Sequence, residues 1–352
     1  MKSVPQTSRV RHTHGAQRRS QAALVAAAFA VLAASATPIF AADPAPADQT
    51  PLPMATVDAL NKLSGGPHAG FRANHAKGVL VAGTFTPAKG AASFSKAAHF
   101  AKSVPVLVRF SNATGVPNLP DADPNASAHG VAIRFQLPGG ANTDIVSISA
   151  NDFPVATPEE FLGLLQAVAQ SGPGVAKPTP IEQFLGSHPA ALRFVTTPRP
   201  APDSFGTLAF YGVNAFKFTN AKGVSHYARY QILPVAGEHA LSDADAAKAA
   251  PNYLMDELPQ RIAKGPVKFR LLAQVANDGD NVNDPTAVWP ADRMRVELGT
   301  IVLTSTSQEQ VKAQKALLFN PLALQAGIEP SADPVLLARP AVYGVSYGQR
   351  AQ

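Results

Sequence analysis

The 352-residue sequence contains no cysteine, and no acidic residue precedes Asp43. The absence of cysteine excludes disulfides, thiolate metal clusters, a catalytic thiol and lipoprotein acylation. Charged residues are also scarce, at 15%, whereas 46% of the residues are hydrophobic, which suffices for a sizeable core. The sequence therefore predicts a globular protein, and any redox chemistry must come from a group that it binds.

Most of the positive charge lies at the N-terminus. Five Lys and Arg residues precede the apolar run of residues 22–36: Lys2, Arg9, Arg11, Arg18 and Arg19. Because this run is shorter than the roughly 20 residues of a membrane-spanning helix, it predicts a secretory signal peptide over residues 1–41. We expect a periplasmic protein, exported by the general or the twin-arginine route, with an uncleaved anchor as the alternative.

Removal of these five charges lowers the formal net charge from +6 to +1. A nearly neutral product has no electrostatic reason to bind polyanions. We therefore expect no nucleic-acid partner and, after signal cleavage, no membrane partner.

The remainder divides into a Pro-rich linker, residues 42–54, and one core domain, residues 55–352. Eight runs rich in β-branched and aromatic residues predict strands at 79–85, 104–110, 131–137, 144–149, 209–218, 225–233, 267–275 and 295–304. Helical patterns cover 57–63, 158–170, 181–194, 252–262 and 333–347. This order predicts an α+β fold, a closed antiparallel barrel of eight strands with helices packed outside.

Arg339 and Tyr343 are four residues apart on the last predicted helix and therefore share a face. A guanidinium beside the phenol oxygen favours phenolate, and a buried phenolate is a competent ligand of ferric haem. Arg350, about two turns further on, could meet a haem propionate. Taken alone, this spacing is more typical of a surface pair or a core tyrosine.

A second group of residues surrounds His75, which lies in the segment Arg72-Ala-Asn-His-Ala-Lys-Gly. The segment that ends in Arg109-Phe-Ser111 follows after a gap. A histidine whose ring is fixed by a serine hydroxyl can act as acid and base toward a peroxide. Arg72 and Arg109 would balance a pair of buried carboxylates. A structural histidine is the alternative on this pattern alone.

Four segments, taken in order, resemble the haem catalase family. They are residues 72–78, 105–111, 284–290, and 327–333 followed by Arg339-x-x-x-Tyr343. The resemblance covers about residues 55–350 and is weakest between about 165 and 280. It implies a catalase-like, eight-stranded antiparallel β-barrel with surrounding helices, and haem b (iron protoporphyrin IX) as the cofactor.

The resemblance also implies roles for individual residues. His75 is similar to the distal acid–base histidine, with Ser111 as its hydrogen-bonding support. Tyr343 is similar to the proximal iron ligand, with Arg339 beside it. Three arginines resemble those that bind the haem propionates: Arg72, Arg109 and Arg350. Three phenylalanines resemble aromatic walls of the haem pocket, with ordinary core packing as the alternative: Phe153, Phe161 and Phe319.

The sequence departs from the family pattern at the distal asparagine, where Ile148 stands. Isoleucine can neither donate nor accept a hydrogen bond. We expect this loss to favour peroxidase chemistry with an external donor over dismutation, unless Asn151 takes over the missing function. Asn74 replaces an apolar residue beside His75, which could admit a more polar or larger substrate.

About 311 residues follow the predicted signal peptide, and the sequence ends two residues after Arg350. We therefore expect no further helical domain and little of the N-terminal arm of full-size catalases. In this respect the sequence resembles the small catalase-related peroxidases, which implies a monomer or homodimer.

The resulting hypothesis is an exported haem peroxidase that reduces hydrogen peroxide while oxidising small organic donors, with residual catalase activity. Organic hydroperoxides are a further candidate substrate class. One alternative is a true catalase that dismutes hydrogen peroxide. An alternative of another class is a non-catalytic exported barrel that carries haem or an apolar ligand.

Overall fold

The computed structural model describes residues 50–351. The predicted signal peptide and residues 42–49 of the predicted linker lie outside the described residues. Residues 52–54 belong to the first helix, α1 (Leu52–Leu63), so the linker ends earlier than predicted. Pro53 fits there because the first turn of a helix does not need its missing N–H.

The described residues form ten strands, each antiparallel to its neighbours: β1 (Gly78–Pro87), β2 (Val104–Ser111), β3 (Gly130–Gln136), β4 (Asn142–Ile148), β5 (Phe210–Tyr211), β6 (Phe216–Thr219), β7 (Ser225–Pro234), β8 (Val267–Val275), β9 (Arg295–Thr306) and β10 (Ile328–Pro330). Eight of them close in the order β1, β2, β3, β4, β5, β7, β8 and β9, with β9 pairing back onto β1. β6 and β10 extend the sheet from β7. The predicted α+β fold with an eight-stranded antiparallel barrel is confirmed.

Side chains alternate along the strands, and one face of each strand fills the barrel. Along β2 and β3 the inward residues are almost fully buried: Val106, Val108, Phe110, Val131, Ile133 and Phe135. Each such side chain contributes roughly 1.5–3 kcal/mol of hydrophobic free energy. The opposite face of the same strands remains available for a second layer, where helices pack.

The helices of the described residues are α1, α2 (Ala91–Phe94), α3 (Pro158–Ala169), α4 (Pro180–Ser187), α5 (Pro189–Thr196), α6 (Asp243–Ala246), α7 (Tyr253–Lys264), α8 (Gln310–Ala316) and α9 (Pro334–Ala351). Helix α1 packs against α3 and α9. Helix α3 begins with a capping box, in which Thr157 and Glu160 satisfy each other's main-chain amides. Within residues 50–351, no helix is both long and apolar enough to cross a membrane.

Two predicted elements are each divided in two. The predicted helix 181–194 is interrupted at His188, because Pro189 disfavours helical geometry in the residue before it. The predicted strand 209–218 is interrupted over residues 212–215, where the chain leaves the ladder between β5 and β6. Asn214, within this interruption, contacts helix α9 instead.

His99 is a buried histidine inside the barrel core, and it makes folding sensitive to acid. It is 1% exposed, its Nδ1 has no hydrogen-bond partner, and its ring lies 4.1 Å from that of Phe100 and 4.9 Å from that of Phe135. Burial lowers the pKa of His99 to about 3. In the unfolded chain the imidazole takes up a proton near pH 6.5, so stability is lost as pH falls from there toward 3.

The variant His99→Leu should therefore weaken the acid dependence of stability. Between pH 7.5 and pH 5 the free energy of unfolding of the wild type should fall by about 2 kcal/mol more than that of the variant. Urea unfolding followed by circular dichroism at the two pH values measures this difference. An equal loss in both proteins would contradict the assignment of this acid sensitivity to His99.

Candidate functional site

A cavity of about 250 Å³ lies between the outer face of the barrel and helices α1, α3 and α9. Ala132, Val146 and Ile148 line it, whereas their strand neighbours Ile133 and Ile145 belong to the barrel core. The structure brings all nine predicted site residues together around this cavity: Arg72, His75, Arg109, Ser111, Phe153, Phe161, Arg339, Tyr343 and Arg350.

His75 lies three residues before β1 and faces the end of β2. Its backbone has φ +55°, the left-handed region that residues with a Cβ rarely adopt. Ser111 Oγ lies 3.1 Å from Nδ1 of His75, which leaves Nε2 as the nitrogen available for chemistry. A Cβ at Gly130 would lie 2.7 Å from that Nδ1 and 2.9 Å from Ser111 Oγ, so only glycine leaves room for this arrangement.

His75 is a neutral imidazole in this setting. Burial lowers the pKa of His75 to about 3, and the positive charge of Arg109 acts in the same direction. A hydrogen bond with the main chain of Asn112 opposes these effects only in part. The ring is therefore deprotonated at neutral pH and is ready to accept a proton from a ligand in the cavity.

On helix α9, Arg339 binds the phenol oxygen of Tyr343 from one helical turn away. Nε and Nη2 of Arg339 donate to Tyr343 Oη at 3.0 and 2.8 Å. Two charge-assisted hydrogen bonds from one guanidinium converge on this oxygen and fix its position at the cavity. The arrangement can therefore present an oriented phenol oxygen to an electrophile in the cavity.

Asn214 and Asp333 support Arg339, and sequence reasoning did not assign them to the site. Arg339 Nη1 donates to Asn214 Oδ1 at 2.6 Å, and Asn214 Nδ2 donates to Asp333 Oδ2 at 2.6 Å. Asp333 also accepts the amides of Val335 and Leu336, so it caps α9. Asp followed by Pro is a recognisable helix start, whereas no local pattern singles out Asn214.

Three arginines form a cationic cluster at one side of the cavity. Arg72 Nη2 and Arg350 Nη2 donate to the same carbonyl, that of Leu317, at 2.7 and 2.8 Å. Arg109 Nε donates to Gln314 Oε1 at 2.6 Å. None of the three forms an ion pair with a carboxylate within residues 50–351.

This cluster lacks a negative partner from the described part of the chain. Burial, together with the positive charges of Arg109 and Arg350, lowers the pKa of Arg72 to about 7. Burial likewise lowers the pKa of Arg109, to about 9. A ligand with two negative charges would offset the free-energy cost of burying these positive charges together.

The remaining walls are mostly apolar. The rings of Phe153 and Phe161 lie 5.5 Å apart at an interplanar angle of 33°, and Phe319 closes another side. Asn74 and Ile148 line the cavity, whereas Asn151 does not. Asn151 is thus not placed to supply the hydrogen bond that Ile148 cannot make.

Helix α1 contributes a wall that the sequence analysis missed. Leu52, Val57 and Leu60 face the cavity, although residues 52–54 were predicted as linker. An apolar i, i+5, i+8 pattern that continues the predicted helix 57–63 toward its N-terminus could have indicated this face.

Comparison with known proteins points to one family. A family model described as Catalase matches residues 69–351. The chain is 37% identical over 298 residues to a catalase-related peroxidase of Mycolicibacterium paratuberculosis, which covers 84% of this chain and 93% of that protein. It is 35% identical over 291 residues to a catalase-related peroxidase of Synechococcus elongatus, covering 81% of this chain and 85% of that protein.

Among solved structures, the fold is similar to the crystal structure of a fungal catalase. The TM-score is 0.71, the sequence identity is 24%, and the match covers 80% of this chain. This chain spans 59% of the fungal chain. At this identity the likeness shows a shared fold, here the barrel with its surrounding helices.

Proposed function

The chain belongs to the haem catalase family, and we propose that within this family it is a haem b peroxidase. In this proposal it reduces hydrogen peroxide, and organic hydroperoxides as a second substrate class, while oxidising small organic donors, with residual catalase activity. One observation carries the proposal: a neutral His75 and an arginine-bound Tyr343 line the same cavity, in which Ile148 occupies a wall position.

The cavity residues fit haem. The apolar walls suit a porphyrin, and the cationic cluster of Arg72, Arg109 and Arg350 suits its two propionates. Tyr343 Oη would bind the iron. The absence of cysteine from all 352 residues excludes thioether attachment and supports unmodified haem b. When bound, haem supplies the ferric iron that accepts the oxidising equivalents of peroxide.

The distal residues move the proton. Ser111 holds Nδ1 of His75, so Nε2 of the neutral imidazole takes a proton from one peroxide oxygen. The same nitrogen delivers this proton to the other oxygen, which leaves as water. Acid–base assistance of this kind typically accelerates a step by 10²–10⁴-fold.

A second group of residues holds Tyr343 Oη, the oxygen that would bind the iron. Arg339 directs two N–H groups at Tyr343 Oη and would thereby stabilise the negative charge that this oxygen carries once it binds iron. Asn214 and Asp333 keep the guanidinium in place. Together Arg339, Asn214 and Asp333 orient the oxygen of Tyr343.

Ile148 supports a peroxidase in preference to an efficient catalase. An isoleucine offers a second peroxide no hydrogen bond, so reduction of the oxidised enzyme depends more on organic donors. The test compares oxygen release with donor oxidation at equal peroxide concentration, using guaiacol as a phenolic donor. Rapid oxygen release without donor turnover would establish the alternative, a true catalase.

The variant Ile148→Asn should shift this balance toward dismutation. A hydrogen bond to the second peroxide contributes about 1 kcal/mol, which corresponds to a roughly fivefold to tenfold rise in oxygen release relative to guaiacol oxidation. An oxygen electrode and the absorbance of oxidised guaiacol measure the two rates. Ile148→Val, which keeps the wall apolar, should leave the ratio unchanged, and an equal change in both variants would contradict this role.

We also propose export to the periplasm, and a monomer or homodimer as the functional form. The basic residues before the apolar run of residues 22–36 support export. Cell fractionation with mass determination should find a periplasmic protein that begins near residue 42. A cytoplasmic protein with an intact N-terminus would contradict export, and a tetramer in light scattering would contradict the assembly.

A further inference from the structure

Resting on the function proposed above, we propose that Lys77, Asp121 and Asn112 form a positioning cluster for the distal histidine. Within this cluster the three side chains hold His75 in the orientation that proton transfer requires. None of the three lines the cavity that contains His75. They therefore act through His75 and do not touch the peroxide.

His75 needs such support because its backbone is unfavourable. Among residues 50–351 it is the only non-glycine residue with positive φ. A residue with a Cβ persists in this region only when its surroundings hold it there. The main-chain amides of His75 and Ala76 donate to the carbonyls of Ala113 and Thr114. The segment after β2 therefore lies directly against the turn formed by residues 75–77.

Lys77 anchors the turn on one side. It is 8% exposed, and its Nζ lies 2.6 Å from Asp121 Oδ1. The same ammonium donates to the carbonyls of Leu119 and Pro251 at 2.9 and 2.7 Å. All three of its protons are therefore used, and Lys77 ties the residues after His75 to two other chain segments.

Asp121 is the centre of the cluster. It is 1% exposed, and Oδ2 accepts the main-chain amides of Leu254 and Met255 at 2.9 and 3.4 Å, at the start of α7. Oδ1 accepts from Asn112 Nδ2 at 2.8 Å. A buried carboxylate with a cation, a helix start and an amide as partners has its charge fully compensated, so it is a rigid fixed point.

Asn112 transmits this rigidity to the imidazole. It directly follows Ser111, whose Oγ lies 3.1 Å from Nδ1 of His75, and its main-chain N–H donates to the carbonyl of Lys77 at 3.0 Å. Its Oδ1 has no hydrogen-bond partner in the described part of the chain, so Asp121 alone orients its side chain. The cluster thus fixes both the backbone of the segment that contains His75 and the main chain that carries Ser111, whose hydroxyl contacts the His75 ring.

The test uses three variants of the haem-loaded protein: Lys77→Met, Asp121→Asn and the double variant. Each single change leaves a buried charge or polar group without its partner and should lower thermal stability, whereas the double variant removes both charges and should regain stability. Stopped-flow absorbance gives the second-order rate constant for hydrogen peroxide and that for hydrogen cyanide, which also gives up a proton to the distal base. Haem content and the Soret spectrum report on the proximal side.

We expect both rate constants to fall at least about tenfold in all three variants, because a misplacement near 1 Å can cost 10²-fold. The double variant should remain slow although its stability returns, with an unchanged Soret spectrum. Rates that recover together with stability would show a merely structural cluster and would overturn the inference. Rates within twofold of the wild type in the single variants would do the same.

Arg293→Met is the matched control. It breaks an ion pair of 2.8 Å with Asp280, and neither partner lines the cavity, so stability should fall without a loss of rate. A wild-type protein that does not react with peroxide would refute the proposed function itself. A wild type that reacts, combined with fast Lys77 and Asp121 variants, would refute only the positioning role.

Discussion

Replacement of His75 by alanine should lower the second-order rate constant for hydrogen peroxide by about 10²–10⁴-fold, with haem content unchanged. The reason is that His75 places a neutral imidazole beside Ser111 at the cavity, and burial lowers its pKa to about 3. Removal of the ring leaves the proximal contacts of Tyr343 intact. Stopped-flow mixing of the ferric protein with peroxide measures the rate constant, and the pyridine haemochrome spectrum measures haem content.

Two further variants sharpen this experiment. His75→Asn should be as slow as the alanine variant, because asparagine tolerates the left-handed backbone but supplies no imidazole. His99→Leu also removes a buried histidine, but one that does not line the cavity, so it should react at the wild-type rate. A His75 variant with the wild-type rate would place the acid–base group elsewhere.

Replacement of Tyr343 by phenylalanine should lower the haem content of the purified protein at least about tenfold and change the Soret spectrum of any haem that remains. Phenylalanine keeps the ring but removes the oxygen that would bind iron. It also leaves two N–H groups of Arg339 without their acceptor inside the protein. Loss of the iron ligand and the unpaired guanidinium should therefore both weaken haem binding.

Tyr347→Phe is the control for this variant. Tyr347 lies one turn further along α9, under the guanidinium of Arg350 at 4.7 Å, and does not line the cavity. The phenylalanine variant keeps this cation–π contact and should retain haem with the wild-type spectrum. Wild-type haem content and spectrum in Tyr343→Phe would remove Tyr343 as the iron ligand.

The barrel could be predicted from the sequence because alternation along a strand is a local property. The runs 104–110 and 131–137 show it clearly. The observed strands, Val104–Ser111 and Gly130–Gln136, differ from these runs by no more than one residue at either end. His75, Arg339 and Tyr343 could be predicted because the segments that contain them, taken in order, resemble the haem catalase family, whereas the local patterns alone favoured a structural histidine and a surface pair.

Residues that join the site through long-range contacts could not be predicted in this way. Asn214 reaches Arg339 only because the chain leaves the sheet between β5 and β6, and no periodic pattern marks that departure. Helix α1 was predicted too short because Pro51 precedes it and Pro53 lies in its first turn, and prolines there are typical of a linker but also of a helix start. Lys77 and Asp121 are 44 positions apart, and their contact depends on the folded barrel.

The residues that line the cavity come from both ends of the described chain, from Leu52 in α1 to Arg350 in α9. Tyr343 and Arg350 lie on α9 and are therefore synthesised long after His75, which precedes β1. The nascent barrel therefore has no complete haem site until synthesis has passed residue 350. Under the proposed function, haem capture follows synthesis of α9, so haem supply can limit the yield of active protein independently of how fast the chain is made.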